Sequence, residues 1–193
     1  MGKHFKAFGG YLTVVAALLG LLYGVGVFYD RFGGDVGVAR ELTNAAEEGD
    51  LKAQNDLGVK YIQGKGVVED YEKAVKFFRK AAERGYAPAQ KNLGQMYSTG
   101  KGADQNHAQA VDWNRRAAEQ GNAGGQYNLG VAYAEGKGVA QDWVQAHMWF
   151  NISATNGKEG RLYTRYEVER KMTAEQIAKA QELAREWKRK HPK

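Results

Sequence analysis

The sequence predicts an all-α chain: a solenoid of helix pairs, closed by a C-terminal capping helix and preceded by one transmembrane helix. Three observations predict it. Residues 7–29 contain no charge. The tripeptide GKG recurs inside YIQGKGVVED, YSTGKGADQN and YAEGKGVAQD, offset by 36 residues each time. From Thr173 onward, one apolar stripe runs through an otherwise charged segment. The resulting organisation is a short basic N-terminus (1–6), a membrane helix (7–29), a linker with a partial first repeat (30–50), three repeats (51–157), and capping helices with a basic tail (158–193).

Length and composition narrow the function classes. A chain of 193 residues with 43% apolar residues suits one packed domain. With no cysteine, disulfides, thiolate metal sites and a cysteine nucleophile are excluded. Four histidines, His4, His107, His147 and His191, show no metal-ligand spacing, so neither metal nor cofactor is expected. The net charge of +6 is unevenly placed: residues 30–157 hold 15 basic and 16 acidic residues, and residues 158–193 hold 11 and 6. A nucleic-acid groove spreads basic residues over a folded face, so a nucleic-acid partner is not expected.

The stretch AFGGYLTVVAALLGLLYGVGVFY between Lys6 and Asp30 would run about 35 Å as a helix, against a hydrocarbon core of roughly 30 Å. That length reads as an uncleaved anchor. The alternative is a cleaved signal peptide, for which Gly24 and Gly26 offer a small-x-small site followed by bulky residues. Lys3 and Lys6 ahead of the span are matched by Arg31 and Arg40 behind it, but the short acid-free leading end favours a cytoplasmic N-terminus. The repeats would then lie outside the cytoplasm, in a periplasm. Ala16, Gly20 and Gly24 fall four apart on one face, a pattern that allows close helix approach and a homodimer through the membrane helix.

The three repeats agree at many positions. Leu57, Leu93 and Leu129 correspond, as do Gly58, Gly94 and Gly130; Tyr61, Tyr97 and Tyr133; Ala74, Ala110 and Ala146; and Gly85, Gly121 and Gly157. Agreement at a fixed period marks a repeat architecture. Each unit reads as two helices. The first stops at the glycines of GKG, and the second starts after Asp70, Asn106 or Asp142 as N-cap, with Gln109 and Gln145 placed to close capping boxes. Val75, Phe78 and Ala82 face the first helix, and Pro88 suits a first helical turn.

The same reading decides what GKG is. A phosphate-binding loop of the Walker type needs four residues between its glycines and a Ser or Thr after the lysine; here five residues separate Gly94 from Gly100, and Gly102 follows Lys101. The next helix N-terminus carries Asp70 or Asp142, which would repel an anion. Lys65, Lys101 and Lys137 instead sit just past a helix C-terminus, and GKG reads as a turn.

The run A-Q-x-x-L-G-x-x-Y-x-x-G-x-G-V…A…A-A-x-x-G resembles the Sel1-like repeat, a relative of the tetratricopeptide repeat. The resemblance covers residues from about 51 to 157, and NAAEEGD at 44–50 resembles the end of a preceding second helix. It implies a right-handed α/α solenoid that binds proteins or peptides without catalysis. Ala103 departs from the usual valine after GKG, and Ser153 from the first alanine of the Ala-Ala pair. By the same resemblance, the concave groove maps to Asn55, Val59, Lys91, Gln95, Tyr127 and Val131.

The tail resembles the closing helices of the family. Thr173 and Gln176 form a capping box, and Ile177, Ala180, Ala184 and Trp187 share one face. No acid, base and nucleophile set emerges: His147 aligns with Val75 and Val111, His107 aligns with Tyr71 and Trp143, and the NIS sequon at Asn151 falls inside a helix. The function expected is a membrane-anchored adaptor of the cell envelope that binds a protein or peptide through its concave face. The alternatives are an immunity-type protein that neutralises a secreted effector and, more remotely, a cell-wall-linked enzyme.

Overall fold

The computed structural model describes residues 34–157 and 162–192. Among them nine helices follow one another: α1 (Gly34–Glu47), α2 (Leu51–Gln63), α3 (Tyr71–Glu83), α4 (Ala87–Thr99), α5 (His107–Glu119), α6 (Ala123–Glu135), α7 (Trp143–Thr155), α8 (Leu162–Glu169) and α9 (Ala174–Lys190). Each helix packs on the next from α1 to α7, and α7 then receives both α8 and α9. α4 also touches α6 directly, so the first helices of successive repeats form one face. The helix before the first repeat, expected from NAAEEGD, is α1, with Ala46 buried.

Repetition of sequence becomes repetition of contact. Leu57, Leu93 and Leu129 are fully buried, and Val75, Phe78 and Ala82 join Leu93 and Met96 in one apolar cluster. Gly58 and Gly130 leave room for the rings of Phe78 and Phe150, which a Cβ at either glycine would strike. A buried glutamine recurs in the same register: the side chains of Gln54, Gln90 and Gln126 donate to the carbonyls of Ala46, Ala82 and Ala118 at 2.9, 3.1 and 3.1 Å. These bonds satisfy carbonyls at the end of the preceding helix, which have no partner within it. The oxygens of Gln90 and Gln126 accept from Gln120 and Asn156 at 2.7 and 3.0 Å. The first repeat has Arg84 at that position, bonded instead to the Gly49 carbonyl at 2.6 Å, and Gln54 Oε1 is left buried without a hydrogen bond.

The helix starts follow the sequence in part. Asp70, Asn106 and Asp142 accept from the backbone N–H of Lys73, Gln109 and Gln145. Asp70 is held below the usual carboxylate range, first by that N–H and then by the Lys73 ammonium. The capping boxes expected at Gln109 and Gln145 are a correction: the N-cap N–H groups of Asn106 and Asp142 go to the Tyr97 and Tyr133 carbonyls, as that of Asp70 goes to Tyr61. A donor already bonded to the first helix has no need of a returning glutamine. Thr173 and Gln176 do form the reciprocal pair. Gly64, Gly100 and Gly136 end the first helices in the left-handed conformation, and Pro88 occupies the first turn of α4.

The second and third GKG sites are joints between repeats, Gly102 and Gly138 packing on the Tyr71 and His107 carbonyls of the preceding unit. Lys101 lies over the Tyr71 ring of the preceding unit at 5.3 Å, and Lys137 pairs with Glu135 at 2.8 Å. Ser153, which departs from the usual alanine, is buried and donates to the Ala123 carbonyl at 2.8 Å, tying the third repeat's two helices together.

The placement across a membrane, with the repeats in a periplasm, is corrected. Among the described residues no helix is long and apolar enough to cross a membrane. The repeat helices have 13 residues, about 20 Å of rise against a core of roughly 30 Å, and the 17-residue α9 is rich in charge. Residues 7–29, with the proposed self-association positions Ala16, Gly20 and Gly24, lie outside the described residues.

Candidate functional site

The first helices α2, α4 and α6 present the same helical positions at each 36-residue step, so a face along them is built by the repeat itself. Asn55 is buried, Val59, Lys91, Tyr127 and Val131 are half-buried, and Gln95 is exposed. Asn55 accepts from Asn92 at 2.8 Å and donates to Asp56, which pairs with Lys52 at 2.6 Å. Lys91 donates to Asn92 at 2.5 Å. One polar chain thus links α2 to α4 across the repeat boundary.

The structure brings four of the six expected residues together. Tyr127 borders three cavities of about 620, 420 and 340 Å³. The first also has Val131, Trp143, Glu167 and Lys171 in its wall; the second has Gln95 and Val131; the third has Lys91 and Gln95. Asn55 and Val59 lie outside all three. The Tyr127 ring rests on Phe150 at 5.4 Å and an interplanar angle of 44°, which holds it in the groove with little freedom to turn.

Sequence reasoning missed Asn92, Asn128 and Asn114. Asn92 and Asn128 stand immediately before the repeated Leu-Gly pair, where the first repeat has Asp56, so their period was legible. Asn114 occupies the position of Phe78 and Phe150, a polar residue in an otherwise aromatic column. It is 4% exposed, Gly94 packs on it as Gly58 packs on Phe78, and its Oδ1 accepts from Asn128 at 3.2 Å. A larger cavity of about 680 Å³ lies between α3 and the loop before α5. Its walls are the long charged side chains of Glu72, Lys76, Arg79 and Lys80, and Arg79 bridges it to the Tyr97 hydroxyl at 2.7 Å. That bond repeats as Arg115 to Tyr133 at 3.3 Å, which marks the region as a repeat-to-repeat tie.

At the C-terminal end of the face, α8 closes the stack through a polar cluster. His147, fully buried, lies 2.7 Å from Glu169 and 3.1 Å from Asn151. Arg165 donates to Asn151 at 3.3 Å, and its Nε stands 3.5 Å from Glu169 without forming a hydrogen bond. His147, aligned with Val75 and Val111, is buried as they are, with hydrogen bonds added. On the other flank of α7, Trp187 of α9 meets Trp149 edge-on at 5.9 Å, and Ala180 and Ala184 are buried. Replacing Glu169 with alanine leaves a ring nitrogen of a buried histidine unsatisfied. The expected cost is about 1–3 kcal/mol, read as a lowered urea midpoint with α8 the first helix to lose protection from hydrogen exchange.

No group of three or more His, Asp or Glu that could hold a metal ion occurs among the described residues. The arrangement offers hydrogen-bonding amides, one fixed aromatic ring and shallow hollows, which suit recognition of a polypeptide surface.

A repeat scaffold of this kind is a recognisable class. Residues 51–86, 87–122 and 123–158 each match the Sel1 repeat, and the chain belongs to the Sel1 repeat family, whose members are generally non-catalytic protein-interaction scaffolds. It is similar to a protective antigen present in uropathogenic Escherichia coli strains that displays an SLR fold, with 39% identity and a TM-score of 0.75 over 79% of this chain and 33% of that one. It is also similar to a Sel1 repeat protein from Oxalobacter formigenes, with 33% identity and a TM-score of 0.57 over 63% of this chain and 56% of that one. This chain therefore spans less than two thirds of the length of either relative. No curated protein matches it.

Proposed function

We propose that this chain binds an extended polypeptide segment along the face of its first helices, the concave face of a helix-pair solenoid. The segment runs from α4 across α6 toward α8. The observation that carries this reading is the convergence of three cavities on Tyr127, with Lys91, Gln95 and Val131 around them. A rigid aromatic flanked by amides supplies contact area at low entropic cost together with hydrogen bonds to a peptide backbone. Asn55 and Val59 extend the same face toward the N-terminal end and contribute less, because Asn55 is already bonded within the fold.

The test is a random peptide library selected on the full chain, with the affinities of selected peptides then measured on variants. Tyr127→Ala is expected to weaken binding by about tenfold or more, and Gln95→Ala by a smaller factor, while Lys76→Ala on the opposite side leaves binding unchanged. Peptides that bind Tyr127→Ala as tightly as the parent chain contradict the reading. Selection of one sequence at nanomolar affinity would turn the adaptor into a dedicated inhibitor of a single partner.

A further inference from the structure

The central repeat breaks the aromatic column in which Phe78 and Phe150 fill the space between a repeat's two helices. Asn114 is smaller than either ring, and the cavity of about 420 Å³ lies directly against it, between α4, α5 and α6. Asn114 is 4% exposed as a residue, its Oδ1 accepts from Asn128 at 3.2 Å, and its side chain lines the open cavity. A guest that fills the cavity shuts water off from the Asn114 amide, and a donor enclosed without an acceptor is costly. The cavity wall brings Gln95, Ser98 and Asn128 to the same space, and its two charged residues, Glu135 and Lys137, are paired with each other at 2.8 Å.

Resting on the peptide-binding reading above, we infer that this cavity is a side-chain pocket for a carboxamide, taking one asparagine or glutamine of the bound segment. An apolar side chain would leave the Asn114 donor unmet. A charged one would lose its hydration to a wall whose charges already neutralise each other. A carboxamide carries a carbonyl for Asn114 Nδ2 and an NH₂ group for the oxygens of Gln95, Ser98 or Asn128. Discrimination comes from pairing buried polar groups, which rejects a guest lacking either half of the amide.

The experiment selects a random decapeptide library on the full chain and on two variants. Asn114→Phe installs the side chain of the other two repeats and fills the pocket, with Gly94 leaving the ring the room that Gly58 and Gly130 leave theirs. Asn114→Ala keeps the pocket open and removes the amide. Circular dichroism and thermal melting confirm that each variant is folded. Peptides selected on the parent chain are expected to share an Asn or Gln at one position, to bind either variant about tenfold or more weakly, and to lose a similar factor when that residue becomes leucine. Peptides that bind the groove in a Tyr127-dependent way, but without a fixed carboxamide or with no loss on Asn114→Phe and Asn114→Ala, overturn the pocket and leave the peptide-binding reading standing. A library that yields no binder at all, or binders indifferent to Tyr127→Ala, overturns both.

Discussion

Replacing Gly102 with alanine is expected to destabilise the chain by more than about 3 kcal/mol, among the largest effects of any single substitution in the loops. Two costs add. Gly102 has φ +71°, a conformation that a side chain strains, and a Cβ there would overlap the Tyr71 carbonyl at the start of α3. The obstacle is backbone, so no rotamer change relieves it, and the loop of the second repeat must lift off the first. Gly121→Ala supplies the contrast. Its φ of +81° imposes similar strain, but nothing lies within 4 Å of the added carbon, and the expected cost is about 1 kcal/mol. Urea unfolding of both variants measures the difference, which is the contribution of the repeat-to-repeat joint. Equal midpoints would mean that the second glycine of GKG serves its own turn and nothing beyond it. Gly138 faces the His107 carbonyl in the same way and should behave as Gly102 does.

Phe78→Ala is expected to cost about 3–5 kcal/mol, because the ring is fully buried and its removal leaves a cavity that rigid neighbours cannot fill. Gly58 on one side has no side chain to move inward, and Val75, Ala82 and Leu93 are themselves buried in the surrounding cluster. In a solenoid each repeat depends on its neighbours, so the loss weakens α2 and α4 together and can uncouple the first repeat from the rest. Denaturant unfolding of the full chain, with hydrogen exchange resolved by helix, is the measurement. The account predicts a lower midpoint with protection lost first in α2 and α3, and a loss confined to α7 to α9 would contradict it.

Much of this architecture was legible because the repeat states each structural rule three times. A glycine after the buried leucine, a tyrosine near the first helix's end and an alanine facing inward recur at one period, and a single instance of any of them would have carried little weight. The helix starts were less legible. Asn106 with Gln109 and Asp142 with Gln145 have the local pattern of a capping box, yet the N-cap amides are committed to the carbonyls of Tyr97 and Tyr133, nine residues earlier in each case. A window of four residues does not contain that competition. The resemblance, and not the local pattern, pointed to Lys91, Gln95, Tyr127 and Val131, which border the cavities around Tyr127. Asn114 had no place in the sequence reading, although comparison with Phe78 and Phe150 marks it as the one polar break in that column. The apolar length of residues 7–29 pointed to a membrane, and no described helix supports that placement.

The central claim is that the face of the first helices is the binding surface. Photo-crosslinking tests it most directly: a library-selected peptide carrying a photoreactive residue is bound to the full chain, and the adducts are mapped by mass spectrometry. The account predicts adducts on α4 and α6 around Lys91, Gln95, Tyr127 and Val131, competed away by unlabelled peptide. Adducts confined to the outward side of α3 and α5, around Lys76 and Asp112, would contradict it.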